Sequence, residues 1–384
     1  MPLKLLLVAG ARPNFMKVAP LLWEIQKRDD VDALLVHTGQ HYDEKMSQQF
    51  FEELQIPRPD ENLDVGSGSH AVQTAEVMKR FEPILIRERP DAVIVVGDVN
   101  STLACTLTAV KLGVPVAHVE AGLRSFDRSM PEEINRILTD GISEWLFVSE
   151  PSGVANLRAE NVAGSRVHFV GNVMIDTLIA CESRIAQSSI LEAVGMKPGG
   201  YAVLTMHRPA NVDQPAVFAK LMNAIARLQR EVPLVFPVHP RTRKAIAEHG
   251  GEPLPNLIFT EPLGYLDFMR LIGQARFVLT DSGGVQEETT YLGVPCLTMR
   301  ENTERPVTIT QGTNRLVGLD ADKIIAEGLH ALQATGRRHT IPELWDGRAS
   351  QRILDVLTGG NPKSESRNPK QNRNPKKKKI ARSK

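Results

Sequence analysis

Residues 280–288, TDSGGVQEE, carry the most concentrated chemical signal in the chain. The apolar, β-branched run RFVLT leading into them predicts a strand, and QEETTYLG after them predicts a helix. Ser282, Gly283 and Gly284 then occupy a strand-to-helix turn. Free backbone N–H groups at the positive end of a helix favour an anion there, and adjacent glycines let a ligand approach the backbone closely. Glu288 follows about one helical turn later, within reach of a sugar hydroxyl. This is the spacing of a phosphate or nucleotide seat. The other reading is an ordinary glycine-rich turn with solvated acids.

Other charged residues collect just after predicted strands. Arg12 and Lys17 follow the first strand, and Asp98 follows the run at 93–96. Glu120 and Arg124 come next, with Glu132, Glu133 and Arg136 shortly after. His207 and Arg208, His239 and Arg241, and Glu304 and Arg305 follow later strands. Arginine, lysine and a helix end neutralise a diphosphate, while carboxylates and a histidine nearby move protons. Crowding like charges raises some carboxyl pKa values toward neutrality. HExxH, CxxC, GxGxxG and GxSxG are all absent. No metal centre is therefore assigned, no nicotinamide cofactor is indicated, and a serine hydrolase is disfavoured.

The elements that position these residues alternate as β and α. Strands are expected at 4–9, 31–36, 91–96, 114–119, 145–148 and 167–170, then at 201–205, 234–238, 257–259, 276–280 and 295–299. Residues 57–70 read as a loop. Pro131 opens a helix with acids close behind it. The strands are mostly apolar, which predicts parallel sheets covered on both faces. With 384 residues two domains are expected. The fold class is α/β, with two Rossmann-like units facing a cleft at the carboxyl ends of their strands. Residues 1–171 form the N-terminal domain with the acids, 172–358 form the C-terminal nucleotide-binding domain, and residues 172–200 join the two.

Hydrophobic residues make up 42% of the chain and charged residues 24%, ordinary for a globular protein. Three scattered cysteines give no disulfide framework. The N-terminal apolar run reads as a strand rather than a signal peptide, and no run reaches the ~18 residues of a membrane span. A cytoplasmic protein is expected. The formal net charge of +1 hides an uneven distribution, because the residues from Asn361 onward hold ten Lys or Arg and one Glu. The tail, 359–384, is expected to be disordered. It makes nonspecific contacts with anions or is a solvated appendage. The second is preferred, because nothing in the body suggests a dedicated nucleic-acid partner.

GARPNFMKVAP, TGQHYD, VVGDVNST, HVEAGLRS, PEEINR, HRPANVD, HPRTR, LTDSGGVQEE and TERPVTITQGTNRLVG run in order from Gly10 to Gly318. Together they resemble the non-hydrolysing UDP-N-acetylglucosamine 2-epimerases. The resemblance implies a GT-B-like fold, a last helix (343–357) that crosses back to the first domain, a UDP-sugar substrate, a homodimer and no added cofactor. It also implies interconversion of UDP-N-acetylglucosamine and UDP-N-acetylmannosamine by UDP elimination and re-addition through a 2-acetamidoglucal.

By motif, Asp98, Glu120 and Glu132 match the family's catalytic acids, and His207 matches the histidine that assists departure of the diphosphate. Arg12 and Lys17 match cations of the first loop. Ser282, Gly283 and Gly284 match the phosphate turn, and Glu288 the carboxylate on the ribose. Glu304 and Arg305 match the TERP element near the sugar. His239 and Arg241 match a charged cleft loop, with His239 alternatively fixing its own loop. Arg136 is expected at the substrate, and Glu133 on a solvated helix face. Gln40 and His41 match part of a regulatory site that binds a second UDP-sugar.

Ala11, Asn14, Val99 and Ala210 depart from the family pattern, and the loop GSGSHAVQT lacks an expected arginine. These departures leave the regulation and the exact sugar open. A modified UDP-N-acetylhexosamine, di-N-acetylated or a uronic acid, is the alternative substrate. A GT-B glycosyltransferase, a hydrolysing epimerase and a noncatalytic nucleotide-sugar sensor are the rival readings.

Overall fold

Thirteen strands among the described residues build two wholly parallel sheets. The computed structural model describes residues 2–39, 44–249, 254–334 and 339–359. The possible regulatory residues Gln40 and His41, the side chain of Arg12 and the tail from residue 360 lie outside them.

The first sheet holds β1 (Leu3–Ala9), β2 (Val31–His37), β3 (Glu61–Asn62), β4 (Ala92–Val96), β5 (Val116–Ala121), β6 (Trp145–Val148) and β7 (Val167–Phe169). The second holds β8 (Ala202–Thr205), β9 (Leu234–Pro237), β10 (Leu257–Thr260), β11 (Val278–Thr280), β12 (Cys296–Thr298) and β13 (Asn314–Leu316). Their spatial orders are 3-2-1-4-5-6-7 and 10-9-8-11-12-13. Strand order therefore reverses between β1 and β4 in one sheet and between β8 and β11 in the other. A crevice opens at each reversal, outside the carboxyl ends. The residues leaving those ends are 10–17 and 97–98 in the first sheet, and 206–208 and 281–284 in the second.

β4 and β8 are buried along nearly their whole length, as parallel strands covered on both faces must be. Several connecting helices start on proline, at Pro131, Pro151, Pro209, Pro215 and Pro240, where the missing N–H costs nothing. Three differences from the sequence reading are local. The stretch 57–70 contains the two-residue edge strand β3, β13 forms an edge of the second sheet where no strand was expected, and HPRTR opens the helix Pro240–His249 rather than a loop. These signals are short and polar, so only pairing with β2 or β12, or the length of the helix, reveals them.

Residues 172–200 are more than a connector. Asn172 caps the helix Val173–Ala186 by accepting from Met174 N at 2.8 Å. This helix packs on Arg12–Ile25 of the first unit and on Tyr265–Gly273 and Gly283–Leu292 of the second. One hydrophobic cluster consequently runs from Leu5 and Phe15 through Ile175 and Leu178 to Val203 and Met269. The last helix, Ala349–Leu357, lies against Arg12–Ile25, where Arg28 pairs with Asp355 at 2.5 Å. Trp345, buried just before it, donates from its indole to the Ser149 carbonyl. No helix among the described residues is long and apolar enough to cross a membrane.

Candidate active site between the two sheets

Asn14 organises the turn after β1. Its Oδ1 accepts from Gly10 N (3.0 Å) and Ala11 N (2.9 Å), and its Nδ2 donates to the Val96 carbonyl at the end of β4. The helix Arg12–Ile25 therefore starts in register with β4, and Lys17 projects one turn further on. Lys17 forms a buried ion pair with Glu120 at the end of β5. Glu120 adopts φ +74, rare for a side-chain-bearing residue, and the pairing of β5 with β6 shifts register at that point. Its second carboxylate oxygen, Oε1, is buried with no hydrogen-bond partner among the described residues. Strain together with an unpartnered buried polar atom is a signature of a functional position. Gly97, at φ +68, allows the close approach, because a Cβ there would lie 2.8 Å from Lys17 Nζ.

Asp98 accepts from Arg136 Nη1 at 2.5 Å. Burial pushes its carboxyl up, but Arg136, Lys17 and Arg305 together hold it below the usual carboxylate range. Arg136 is itself clamped, with Nε and Nη2 donating to Glu133 Oε2 at 3.0 and 2.5 Å. Glu133 corrects the sequence expectation. It is buried rather than on a solvated face, and it also accepts from Ser125 N, Ser125 Oγ and Phe126 N. Packing turns this side of the helix Pro131–Ile142 inward, which charge alone does not signal. Glu132 is half-buried and makes no hydrogen bond or ion pair among the described residues. Beneath them, His118 bridges the Gly97 carbonyl (2.8 Å) and Asp140 (2.6 Å), while Asp140 also holds Gly122 N and Arg124. Arg124 is thus a buried scaffold residue.

In the second unit, Ser282 is the N-cap of Gly283–Leu292, and its hydroxyl makes no capping bond. Gly283 lies against the TERP element, and a Cβ there would stand 2.7 Å from Arg305 Nη1 and 2.8 Å from Glu304 Oε1. Arg305 pairs with Glu287 at 3.0 Å and with Glu304, which also accepts from Arg300 Nη2 at 2.8 Å. Burial would raise Glu304, but Arg305, Arg300 and Arg136 hold it far below the ordinary range. Glu288 differs. It is buried without a hydrogen bond among the described residues, and burial and Glu287 push it up to about 8. Glu150, at the end of β6, is pushed up to about 7 by burial, and Glu287 is raised by the same cause.

His207 sits half-exposed above Asp281, with Nδ1 2.9 Å from Asp281 Oδ1. His239 lies near it at a ring separation of 6.1 Å, and its Nδ1 accepts from Arg241 N in the first turn of the helix Pro240–His249. Arg241 is committed on the rim to Asp213, in two bonds of 2.9 and 2.8 Å.

The two halves meet. Asn172 donates to Glu287 at 2.9 Å, and Arg300 Nη2 lies 3.9 Å from Met130 Sδ. Arg305 interacts electrostatically with Glu120 and Asp98 as well as with Glu287 and Glu304, so it is the charge common to both. The structure thus gathers Lys17, Asp98, Glu120, Arg136, Glu304 and Arg305 into one charged cluster and leaves Arg241 outside it. Asp281, Glu287, Glu150 and Arg300 were missed from the sequence. Asp281 alone had a signal, its place directly before the SGG turn. The others depend on which side of a helix or loop faces inward. No group of three or more His, Cys, Asp or Glu among the described residues is placed to hold a metal.

The chain matches the family model described as UDP-N-acetylglucosamine 2-epimerase over residues 23–358. A UDP-N-acetylglucosamine 2-epimerase of Methanococcus maripaludis is 40% identical over 93% of this chain and 98% of its own. A UDP-2,3-diacetamido-2,3-dideoxy-D-glucuronate 2-epimerase of Pseudomonas aeruginosa is also 40% identical, over 92% of this chain and 99% of its own. Among solved structures, the Methanocaldococcus jannaschii UDP-GlcNAc 2-epimerase in complex with UDP-GlcNAc and UDP superposes with TM-score 0.88 at 39% identity, covering 93% of this chain and all of that one. The GT-B-like arrangement of the two sheets, the charged cluster at their meeting edges and these matches have one explanation: the chain belongs to the UDP-N-acetylglucosamine 2-epimerase family.

Proposed function

We propose that this chain inverts C2 of a UDP-N-acetylhexosamine, converting UDP-N-acetylglucosamine to UDP-N-acetylmannosamine and back. The observation that carries the reading is the buried Lys17–Glu120 pair on left-handed backbone beside Asp98, joined through Arg305 to the helix start at Gly283. In the forward step a protein carboxylate takes the C2 proton. The C–H electrons form the C1–C2 double bond, and the C1–O pair leaves with UDP. Return of a proton to the opposite face and re-addition of UDP complete a redox-neutral cycle. Asp98, Glu120 and Glu132 share the proton transfers. The free N–H groups at residues 283–284, with Arg12 and Arg305, stabilise the departing diphosphate, and His207 assists its departure. Glu288, neutral in its buried position, donates to or accepts from the ribose hydroxyls.

Residues 1–171 and 172–358 are taken as the two domains that close on the substrate. The homodimer and the cytoplasmic location expected above belong to the same proposal. Exposed Leu138 and Ile142 on Pro131–Ile142, with Val110 and Leu112 at the end of the neighbouring Asn100–Lys111, support a subunit contact.

A uronate substrate is the second reading, favoured by the Pseudomonas relative, which is as similar as the Methanococcus maripaludis UDP-N-acetylglucosamine 2-epimerase. Proton NMR in D2O, without added cofactor, tests both. Deuterium at C2 together with an epimer signal from UDP-N-acetylglucosamine establishes the first reading. Exchange only with the diacetamido-uronate establishes the second, and exchange with neither removes the epimerase assignment.

A further inference from the structure

Asp281 has no exposed surface, yet it sits at the end of β11 directly beneath a half-exposed histidine. An ionised carboxylate buried in this way is costly unless its lone pairs are met. Oδ2 accepts from His207 N (2.9 Å), Arg208 N (2.8 Å) and Asn211 Nδ2 (3.1 Å). Oδ1 lies 2.9 Å from His207 Nδ1 as an ion-pair contact and accepts no hydrogen bond among the described residues, so the imidazole is the donor placed nearest to it. Burial raises the carboxyl, but His207 and the two backbone N–H groups hold it below the usual range, so it stays an acceptor. Three donors on one oxygen fix the carboxylate, and the other oxygen is left for the imidazole alone. That arrangement exceeds what closing the turn after β8 requires, since Oδ2 by itself satisfies the backbone.

We propose that Asp281 is the positioning residue of His207, holding its ring with Nδ1 protonated and Nε2 toward the cleft. The inference rests on the reading of His207 as the group that assists the diphosphate. When Nε2 carries the proton, the ring is a cation and Asp281 stabilises it. When C1–O breaks, Nε2 gives that proton to the leaving phosphate oxygen, and the ring remains as the Nδ1–H tautomer. Re-addition of UDP returns the proton to Nε2. The carboxylate itself never takes a proton, as is general for an acid that orients an imidazole.

Long-range 15N–1H correlation spectra of the full chain at about pH 9, where imidazoles are neutral, read the tautomer directly. The His207 signals are assigned by their loss in H207Q. The expected wild-type state is Nδ1–H with bare Nε2. In D281N the amide presents a donor to Nδ1, so the expected state is Nε2–H. An Nε2–H tautomer in the wild type, or the same tautomer in both proteins, overturns the proposal. Kinetics give an independent reading. D281N lowers kcat about 100-fold or more with KM nearly unchanged, and H207Q/D281N is no slower than H207Q. Independent, multiplying losses in the double variant would overturn the coupling. A D281N protein that does not fold leaves the wild-type spectrum to decide. A wild type that epimerises no UDP-sugar removes the functional reading, while the tautomer still decides the role of Asp281.

Discussion

Asp98 and Glu133 on one side of the cleft and Glu287 and Glu288 on the other are treated in opposite ways. In the first unit, Asp98 and Glu133 are held ionised below their usual range, although burial works against them, because Arg136 and backbone N–H groups face them. In the second, Glu288 is raised to about 8 and Glu287 is raised as well. Among the described residues no arginine faces Glu288, and the pairing of Glu287 with Arg305 does not offset its burial. Residue type is the same, and the partner decides the protonation state. The division suits the proposed reaction: ionised carboxylates move protons at the sugar, and a neutral carboxyl holds hydroxyl groups without repelling the diphosphate. The partner, not the unit, is what matters: Glu304 and Asp281 of the second unit are held low, by Arg300 and Arg305 and by His207 with backbone N–H groups, while Glu150 of the first unit is raised by burial.

The sharpest way to break this comparison is to remove the pair that anchors the ionised side. Lys17→Met removes the ion-pair partner of buried, strained Glu120, a loss of about 3–5 kcal/mol in stability. It also lowers kcat by about 1000-fold or more, on the order of 4 kcal/mol, measured by guanidinium unfolding and the NMR assay. Glu120→Gln keeps the fold and loses comparable activity. A Glu120→Gln enzyme with near-normal kcat would remove Glu120 from the proton transfers. Arg136→Lys comes next. It keeps one charge near Asp98 but loses the fork on Glu133, which costs about 1.5–3 kcal/mol, or roughly 10–100-fold in kcat.

Glu288→Gln probes the neutral side. The folded carboxyl keeps its proton up to about 8, whereas the unfolded one loses it near the ordinary 4.5. Above the ordinary value the unfolded chain therefore binds fewer protons. The stability contributed by the neutral group is fully present below it and is lost as pH rises toward about 8. The melting temperature of ligand-free wild type should fall across that window, and Glu288→Gln should flatten the fall. UDP affinity drops about tenfold in the same variant, roughly 1.4 kcal/mol, read by calorimetry. An unchanged pH profile would mean that Glu288 is ionised in the folded protein. The smallest effect is expected at the rim, where Arg241→Ala breaks an exposed pair with Asp213. Stability should move by less than about 1 kcal/mol and kcat scarcely at all. A large loss of kcat would bring Arg241 back to the substrate.

Much of this was legible in the chain itself. The βα alternation, the all-parallel sheets and the SGG turn follow from apolar strands punctuated by glycine and proline, and these local signals survive without tertiary context. The residues after the carboxyl ends of the strands were identifiable for the same reason, because parallel sheets put every such end at one edge. β3, two residues long, was not legible, since an edge strand that short exists only by pairing with β2.

Tertiary structure alone decided the rest. Glu133 turned inward to hold Arg136, while its neighbour Glu132 kept its carboxylate unpaired among the described residues. Adjacent Glu287 and Glu288 received different surroundings within one helix, Arg305 and Asn172 for the first and neither for the second. Asp281 met His207 across 74 residues of chain. Periodicity in a sequence records which face of an element is apolar. It does not record which distant charge will stand opposite a buried carboxylate, and in a low-dielectric cleft that opposite charge sets the chemistry.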